Sequence, residues 1–186
     1  MLTDLLKKVA NQFNINKIPY MVIGGQALLL YSQPRFTNDI DITLGLDIDN
    51  VDYIIQITDK INLKPLPDNP SDFVNQTMVL PMVDTETERR VDLIFSFTEY
   101  ENDAISRANR YEIDNIQISY ASPEDLIVMK IISGRQIDLE DVKNILLQNP
   151  HLNKNLIINI LNEFGKFLNI DFTDTFIKIV NSCSLT

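Results

Sequence analysis

Cysteine and histidine are almost absent from this 186-residue chain, which has one of each, Cys183 and His151. A single cysteine forms no internal disulfide, so we expect a protein of a reducing compartment, the cytoplasm. One cysteine and one histidine also exclude a metal site built from a cluster of these residues. Any metal ion bound by this chain must therefore be held by carboxylates.

The sequence also lacks a long apolar run and an excess of basic residues. No run approaches the ~20 apolar residues of a membrane-spanning helix, and residues 1–8 lack the order of a signal peptide, so we expect no membrane partner. The 26 acidic and 16 basic residues give a net charge of −10. This charge argues against broad electrostatic binding to nucleic acid, although it leaves room for a local basic groove. Hydrophobic residues make up 45% of the chain, which is enough for a folded core.

A pair of glycines follows a short apolar segment near the N-terminus. Residues 20–23 predict a strand, and Gly24 and Gly25 follow it directly, before a short helical run over residues 26–31. Glycines between a strand and a helix let backbone N–H groups approach a phosphate closely. The alternative interpretation is an ordinary tight turn, which is common, so the pair needs support from its surroundings.

An alternating segment, residues 39–44, follows a turn that contains Pro34. Side chains alternate along a strand, so Asp39 and Asp41 lie on one face and the isoleucines on the other. Two carboxylates at this spacing repel each other unless a cation lies between them, and Mg²⁺ prefers oxygen ligands of this kind. The alternative is any half-exposed strand. Together with the glycines, the two aspartates predict a phosphate-and-metal site.

A second charged residue interrupts an apolar strand predicted over residues 90–95. Asp92 shares a face of that strand with Arg90 and Ile94, whereas the other face is apolar throughout. From the residues alone, the preferred interpretation of Asp92 is a solvated edge residue or a partner for Arg90.

The order of elements predicts an α+β fold. Strands and helices mix over the first two thirds of the chain, and the last third is helical, so we place an α/β core at residues 1–120 and a helical subdomain, packed on the core, at 121–186. Three prolines predict a loop over residues 63–76, and Pro81 predicts that the strand at 78–83 is an edge or bulged strand. Further strands are predicted within 111–120, and helices over residues 2–13, 51–61, 100–107, 123–134, 138–147, 152–167 and 172–180.

Three blocks of the sequence carry a family resemblance. The glycine pair followed by Asp39-Ile40-Asp41 resembles the signature of the DNA polymerase β-like nucleotidyltransferases. The longer forms Gly-Gly-Gln-Ala-Leu and Arg-Phe-Thr-Asn-Asp-Ile-Asp are most similar to the AbiEii-type branch, which includes toxins of toxin–antitoxin systems. Residues 122–126, 129–130, 133–135 and 138–141 are similar to the helical region of that branch. The resemblance covers roughly residues 17–147.

The resemblance implies a polymerase β-like core, a mixed sheet flanked by helices, followed by a C-terminal helical bundle. It implies metal-dependent transfer of a nucleoside monophosphate from a nucleoside triphosphate (NTP) such as ATP to an acceptor hydroxyl. Gly24 and Gly25 would hold the β- and γ-phosphates. Asp39 and Asp41 would bind two Mg²⁺ ions, and Asp92 would be the third carboxylate, on the catalytic ion.

Two basic residues of the helical block belong to the same expected site. Lys130 would neutralise charge on the nucleotide and count among the catalytic residues, and Arg135 would line the cleft. The alternatives are that Lys130 is the polar side of an amphipathic helix and that Arg135 forms a local ion pair with Asp138. Both interpretations of Arg135 stay open.

The expected acceptor is RNA, in particular the tRNA 3′ end, or a protein side chain, and a cognate antitoxin is a possible partner. Six residues form a predicted basic strip that would guide RNA: Lys17, Arg35, Arg89, Arg90, Arg107 and Arg110. Two alternatives stay open. One is a catalytically silent interaction module, and the other is an aminoglycoside-modifying nucleotidyltransferase, since an acidic cleft suits a cationic drug.

Overall fold

The computed structural model describes residues 1–33, 36–96 and 98–183. The predicted turn at Pro34 and the predicted strip residue Arg35 lie outside these residues. The described chain divides into two compact units. The first unit contains residues 1–27 and most of the chain from Phe36 to Ala121, and the second contains the end of the second helix, from Leu28, and the chain from Ser122 onward.

A mixed sheet, of seven strands in the described part of the chain, forms the first unit. Its strand order is β3-β4-β5-β2-β1-β7-β6, in which β2 runs parallel to β5, β1 runs parallel to β7, and the other neighbours are antiparallel. The strands are β1 (Tyr20–Ile23), β2 (Asp39–Leu44), β3 (Leu63–Pro65), β4 (Val79–Asp84), β5 (Arg90–Phe95), β6 (Asn109–Ile113) and β7 (Ile116–Tyr120). The predicted α+β class is confirmed.

The sheet is held by the apolar face of its central strands. Ile40, Ile42 and Leu44 of β2 have no exposed surface, and neither have Val91 and Leu93 of β5. Because side chains alternate along a strand, burying these residues turns the intervening aspartates to the opposite face. The apolar face of β2 therefore decides where the charged residues lie.

Five helices accompany the sheet in the described sequence. Helix α1 (Leu2–Ile15) buries one amphipathic face and contacts β7, and α3 (Val51–Asp59) follows a short 3₁₀ turn, Ile48–Asn50. The others are α2 (Gly24–Tyr31), α4 (Pro70–Thr77) and α5 (Glu99–Ser106). A capping box formed by Thr98 and Glu101 begins α5, close to the predicted position.

Two sequence predictions about prolines are wrong. Residues 63–76, predicted as a loop, contain β3 and most of α4, because Pro70 occupies the first turn of a helix that Asn69 caps. Proline begins a helix there, since the missing N–H would have no helical partner. Pro81 was expected on an edge or bulged strand, but β4 lies between β3 and β5. Pro81 is tolerated because β3 pairs only with residues 82–84 of β4.

Strands β6 and β7 form a tight hairpin at the end of the first unit. Its two turn residues, Asp114 and Asn115, have φ values of 50° and 63°. Positive φ at both central residues is the requirement of a type I′ hairpin turn, which asparagine and aspartate tolerate.

The second unit contains four further helices in its described part: α6 (Pro123–Ser133), α7 (Gln136–Gln148), α8 (Lys154–Leu168) and α9 (Phe172–Cys183). The Ser122 hydroxyl caps α6 by accepting the backbone N–H of Asp125 at 3.0 Å, and Gly134 ends the helix with a φ of 65°. Among the described residues, no helix has both the length and the apolar character that crossing a bilayer requires.

Candidate active site

Three aspartates lie on one face of the sheet, at one end of β2 and β5. In the parallel pairing of these strands, Asp41 lies opposite Asp92 and Asp39 lies opposite Arg90. Adjacent strands are about 4.8 Å apart, and alternate residues share a face, so the three carboxylates form one cluster. All three aspartates are partly buried. We refer to Asp39, Asp41 and Asp92 as the carboxylate cluster.

Gly24 approaches the cluster more closely than any residue with a side chain could. A methyl group on its Cα would lie 2.0 Å from Oδ2 of Asp41. Its φ is +60°, in the left-handed region that favours glycine. Gly24 begins α2, so the positive end of that helix dipole lies next to Asp41. Position 24 therefore requires glycine for two independent reasons, the close contact with Asp41 and the positive φ.

Thr37 connects the second glycine to the cluster. Its hydroxyl donates to Oδ1 of Asp39 at 2.9 Å, and a methyl group on Gly25 would lie 2.5 Å from the same hydroxyl oxygen. No role for Thr37 was predicted from the sequence. Its position two residues before the first aspartate is the available signal, because a hydroxyl at that spacing commonly bonds to a nearby side chain or backbone group.

Arg90 supplies a cation to the cluster. Its Nε donates to Oδ1 of Asp92 at 2.7 Å, in a pair whose side chains are 55% and 17% exposed. The hydrogen bond to Asp92 is the main cause that raises the pKa of Arg90, and the charges of Asp39 and Asp41 raise it further. The preferred interpretation of Asp92 from the residues alone included this pairing with Arg90, and the structure contains it.

The chemistry of the cluster fits a divalent cation with oxygen ligands. The three side chains converge from neighbouring strands, and carboxylates are the ligands of a hard ion such as Mg²⁺. Nevertheless, within residues 1–33, 36–96 and 98–183 no three acidic, histidine or cysteine side chains already have the arrangement of a metal site. Oδ1 of Asp92 already accepts a hydrogen bond from Arg90, so an ion at the cluster would share this carboxylate with the guanidinium or displace it.

The structure places Lys130 and Arg135 in the second unit, whereas the other five predicted site residues lie together in the first. The Lys130 amine is buried and donates to Asp138 at 2.9 Å and to Asp141 at 2.7 Å. Arg135 pairs with Asp138 at 2.5 Å, as one interpretation of the sequence predicted. Burial raises the pKa of Asp138, but hydrogen bonds from Arg135, Lys130 and Ser133 outweigh burial and lower the pKa to about 2.

The predicted basic strip is divided between the two ends of the central strands. Arg89 and Arg90 lie at the start of β5, beside Asp39, and Arg89 donates to Oδ1 of Asn38 at 3.4 Å. Lys17 and Arg110 lie near the start of β1, at the opposite end of the β1–β2 pair. These four residues of the predicted strip therefore form two separate groups.

Comparison with known proteins identifies relatives of this arrangement. The sequence model of a family described as "Nucleotidyltransferase of unknown function (DUF6036)" matches residues 1–171. No protein with a curated description matches the sequence.

Solved structures share the fold at low identity. The antibiotic-resistance factor ANT(2'')-Ia has a TM-score of 0.60 and 14% identity, covering 91% of this chain and 95% of its own. A nucleotidyltransferase-like protein from Paracoccidioides brasiliensis has a TM-score of 0.56 and 15% identity, with coverages of 94% and 91%. The lincosamide antibiotic adenylyltransferase LnuA has a TM-score of 0.51 and 19% identity, with coverages of 74% and 91%. These similarities show a nucleotidyltransferase fold, and none of them points to the AbiEii branch.

Proposed function

Since the chain belongs to the DUF6036 family of nucleotidyltransferases, we propose that it transfers a nucleoside monophosphate from an NTP to an acceptor hydroxyl at the carboxylate cluster. One observation carries the proposal. Asp41 lies directly opposite Asp92 on neighbouring parallel strands, with Asp39 two residues away on the same face and Gly24 packed against Asp41. Carboxylates beside a glycine-lined helix N-terminus suit a cation and a phosphate at adjacent positions.

Each residue of the cluster has a role in this proposal. Asp39 and Asp41 would hold two Mg²⁺ ions, and Asp92 would be the third carboxylate ligand. Mg²⁺ held by these carboxylates would supply Lewis-acid chemistry for the acceptor hydroxyl and the triphosphate. Thr37 orients Asp39 through its 2.9 Å hydrogen bond, and the backbone at Gly24 and Gly25 approaches the β- and γ-phosphates.

The transfer step is a displacement at the α-phosphorus. The acceptor oxygen forms a bond to that phosphorus, the bond between the α-phosphorus and its bridging oxygen breaks, and pyrophosphate leaves. The proton of the acceptor hydroxyl passes to the carboxylate of Asp92. ATP is the first NTP to test. We propose that the enzyme prefers ATP over the other three NTPs.

We assign Lys130 to the stability of the second unit rather than to the nucleotide. Its amine lies between two carboxylates that are themselves buried, Asp138 and Asp141. To bind a phosphate, Lys130 would have to leave both carboxylates without this cation in a buried position, which is costly. Arg135 supports the same group through Asp138. The nucleotide-binding role that the family resemblance implies for Lys130 and Arg135 is therefore not part of this proposal.

For the acceptor, the charge of the chain favours a small cationic molecule over RNA. The net charge is −10, and four residues of the predicted basic strip lie in two groups at opposite ends of the β1–β2 pair. ANT(2'')-Ia has been captured with adenylyl-2''-tobramycin, and LnuA with lincomycin, so two proteins of this fold act on small molecules. RNA, a protein acceptor and an antitoxin partner enter the proposal as alternatives that the following assay separates.

The assay uses NTPs labelled at the α-phosphate, with Mg²⁺, and three acceptor sets: aminoglycosides and lincosamides, total tRNA, and cell lysate. We expect label on a small molecule with the wild-type protein and none with Asp41→Asn. Asp68→Asn removes an exposed loop carboxylate outside the cluster and serves as the matched control. Label on tRNA or on a protein would overturn the acceptor proposal while retaining the reaction. Equal labelling by wild type and Asp41→Asn would overturn the proposed site.

A further inference from the structure

A polar cavity of about 830 Å³ opens at the end of the β1–β2 pair that is remote from the carboxylate cluster. Its lining includes Lys17 and Tyr20 before and at the start of β1, Gly45 after β2, and Arg110 and Ser119 on the β6–β7 hairpin. Since Tyr20 pairs with Leu44 whereas Ile23 pairs with Asp41, the two sites are separated by about 10 Å along β1. We refer to this feature as the Lys17–Arg110 cavity.

The charge of this cavity is opposite to that of the protein. Among the described residues that line it, the charged ones are Lys17 and Arg110, and none is acidic. The chain as a whole has 26 acidic and 16 basic residues. In the described part of the structure, neither Lys17 nor Arg110 forms an ion pair. Two cations without an anion in one concave site attract an anionic ligand.

The walls of the cavity are fixed by hydrogen bonds, so the site is largely formed in advance. The Asn14 amide donates to the Gln117 carbonyl at 2.7 Å, and the Tyr20 hydroxyl donates to the same carbonyl at 3.3 Å. The Gly45 N–H donates to the Pro19 carbonyl at 2.8 Å. These bonds join α1, β2 and the hairpin around the cavity.

Lys17 has an unusual backbone conformation at the end of α1. Lys17 follows α1 with a φ of 55°, at the position after a helix where glycine is usually found. The Ile18 N–H donates to the Phe13 carbonyl at 3.0 Å, which holds this helix end in place. A lysine in the left-handed region carries a strain that glycine would avoid. The position of this backbone segment therefore fixes where the exposed Lys17 side chain begins, at the lining of the cavity.

We propose that the Lys17–Arg110 cavity binds a small phosphate-bearing ligand, with both cations on the phosphate and the apolar and hydroxyl groups of the wall around the remainder. The volume lies within the usual range for small-molecule sites, ~300–1,000 Å³. Guanidinium and ammonium groups together suit the bidentate and point-charge contacts that phosphate takes. This site is independent of the carboxylate cluster and of the reaction proposed there.

The test is a titration of the ¹⁵N-labelled full chain with inorganic phosphate and with ribose 5-phosphate, followed by amide NMR shifts. EDTA is present throughout, so that metal-dependent binding at the carboxylate cluster is absent. We expect saturable shifts at Lys17, Arg110 and Ser119 and none at Gly24 and Gly25. Neutral ribose is the control ligand and should give no saturable shift.

Charge-removing variants decide which residues are responsible. Lys17→Gln with Arg110→Gln should weaken the binding of ribose 5-phosphate by at least about tenfold, the effect of losing charge-assisted hydrogen bonds. Lys60→Gln, which removes an exposed lysine at the end of α3, should leave the affinity unchanged. Circular dichroism melting of each variant confirms that it is folded.

Four results would overturn the proposal. Three of them are no saturable shifts, shifts centred on Gly24 and Gly25, and an affinity that the double variant shares with the wild type. The fourth is binding of an RNA oligonucleotide at Lys17 and Arg110 without binding of either small phosphate. This result would mean that the cavity binds a nucleic-acid backbone, and it would equally overturn the proposal.

Discussion

Replacing Arg90 by glutamine should strengthen the binding of divalent cations at the carboxylate cluster. Arg90 donates to Asp92 at 2.7 Å and lies beside Asp39, so its positive charge competes with a metal ion for the third carboxylate. An incoming ion would share Asp92 with the guanidinium or displace it, and in either case it approaches against the charge of Arg90. Glutamine has a similar length and keeps a hydrogen-bond donor, but it removes the charge.

The expected size of the effect follows from the exposure of the pair. The Arg90 side chain is 55% exposed, and exposed ion pairs typically contribute about 0.2–1 kcal/mol. Removing that competition should lower the dissociation constant for Mn²⁺ by about two- to fivefold. Titration of Mn²⁺ by isothermal calorimetry, with the free ion counted by electron paramagnetic resonance, measures the change at constant ionic strength.

Arg89 provides a matched control for this experiment. It is the preceding residue, and its guanidinium donates to Asn38 at 3.4 Å rather than to an aspartate of the cluster. Arg89→Gln removes the same charge from the same region and should change the affinity less than Arg90→Gln. A lower affinity for Mn²⁺ in Arg90→Gln would mean that Arg90 helps to position Asp92 for the ion. An unchanged affinity would mean that Arg90 does not compete with the ion. Either result would refute the reasoning.

Three further predictions concern the glycine and the buried ion pairs. Gly24→Ala should destabilise the fold by about 2 kcal/mol or more and abolish transfer, since its methyl group meets Asp41. Gly134→Ala, with a φ of 65° but only an ordinary van der Waals contact to the Ile131 carbonyl at 3.9 Å, should cost about 1 kcal/mol in urea unfolding. Lys130→Ala leaves two carboxylates buried without this cation and should cost about 3–5 kcal/mol of unfolding free energy, measured in the same way. The low pKa of Asp138, about 2, stabilises the folded state above about pH 4, and this stability is lost as the pH falls from about 4 to 2. Asp138→Asn should remove that acid-dependent loss of unfolding free energy. If the unfolding free energy of Asp138→Asn, measured in urea, falls between pH 4 and 2 as steeply as that of the wild type, the assignment is contradicted.

The strands that carry the candidate site could be predicted from short local patterns, a run of apolar residues in β1 and alternation in β2. β1, β2 and β5 have the predicted bounds, since apolar residues at every second position of Asp39–Leu44 allow one register against the core. Helix starts with strong capping residues, such as Ser122 before α6, were predicted for the same kind of local reason.

Long-range pairings could not be predicted in this way. No local pattern shows that Asp41 lies opposite Asp92, because the partners are distant in sequence and only the assembled sheet brings them together. The contacts of Lys130 could not be predicted for the same reason. Its partners, Asp138 and Asp141, lie on the next helix, and the amphipathic pattern of α6 does not show that the amine is buried between them.

The most direct test of the central claim is a calorimetric titration of NTPs into the wild-type protein, Asp41→Asn and the control Asp68→Asn, each with Mg²⁺ and with EDTA. The proposed site predicts binding of at least one NTP that requires Mg²⁺, is absent in Asp41→Asn and is retained in Asp68→Asn. NTP binding that persists unchanged in Asp41→Asn would contradict the account. Binding of no NTP by the wild type would also contradict it, and would favour a catalytically silent member of the fold.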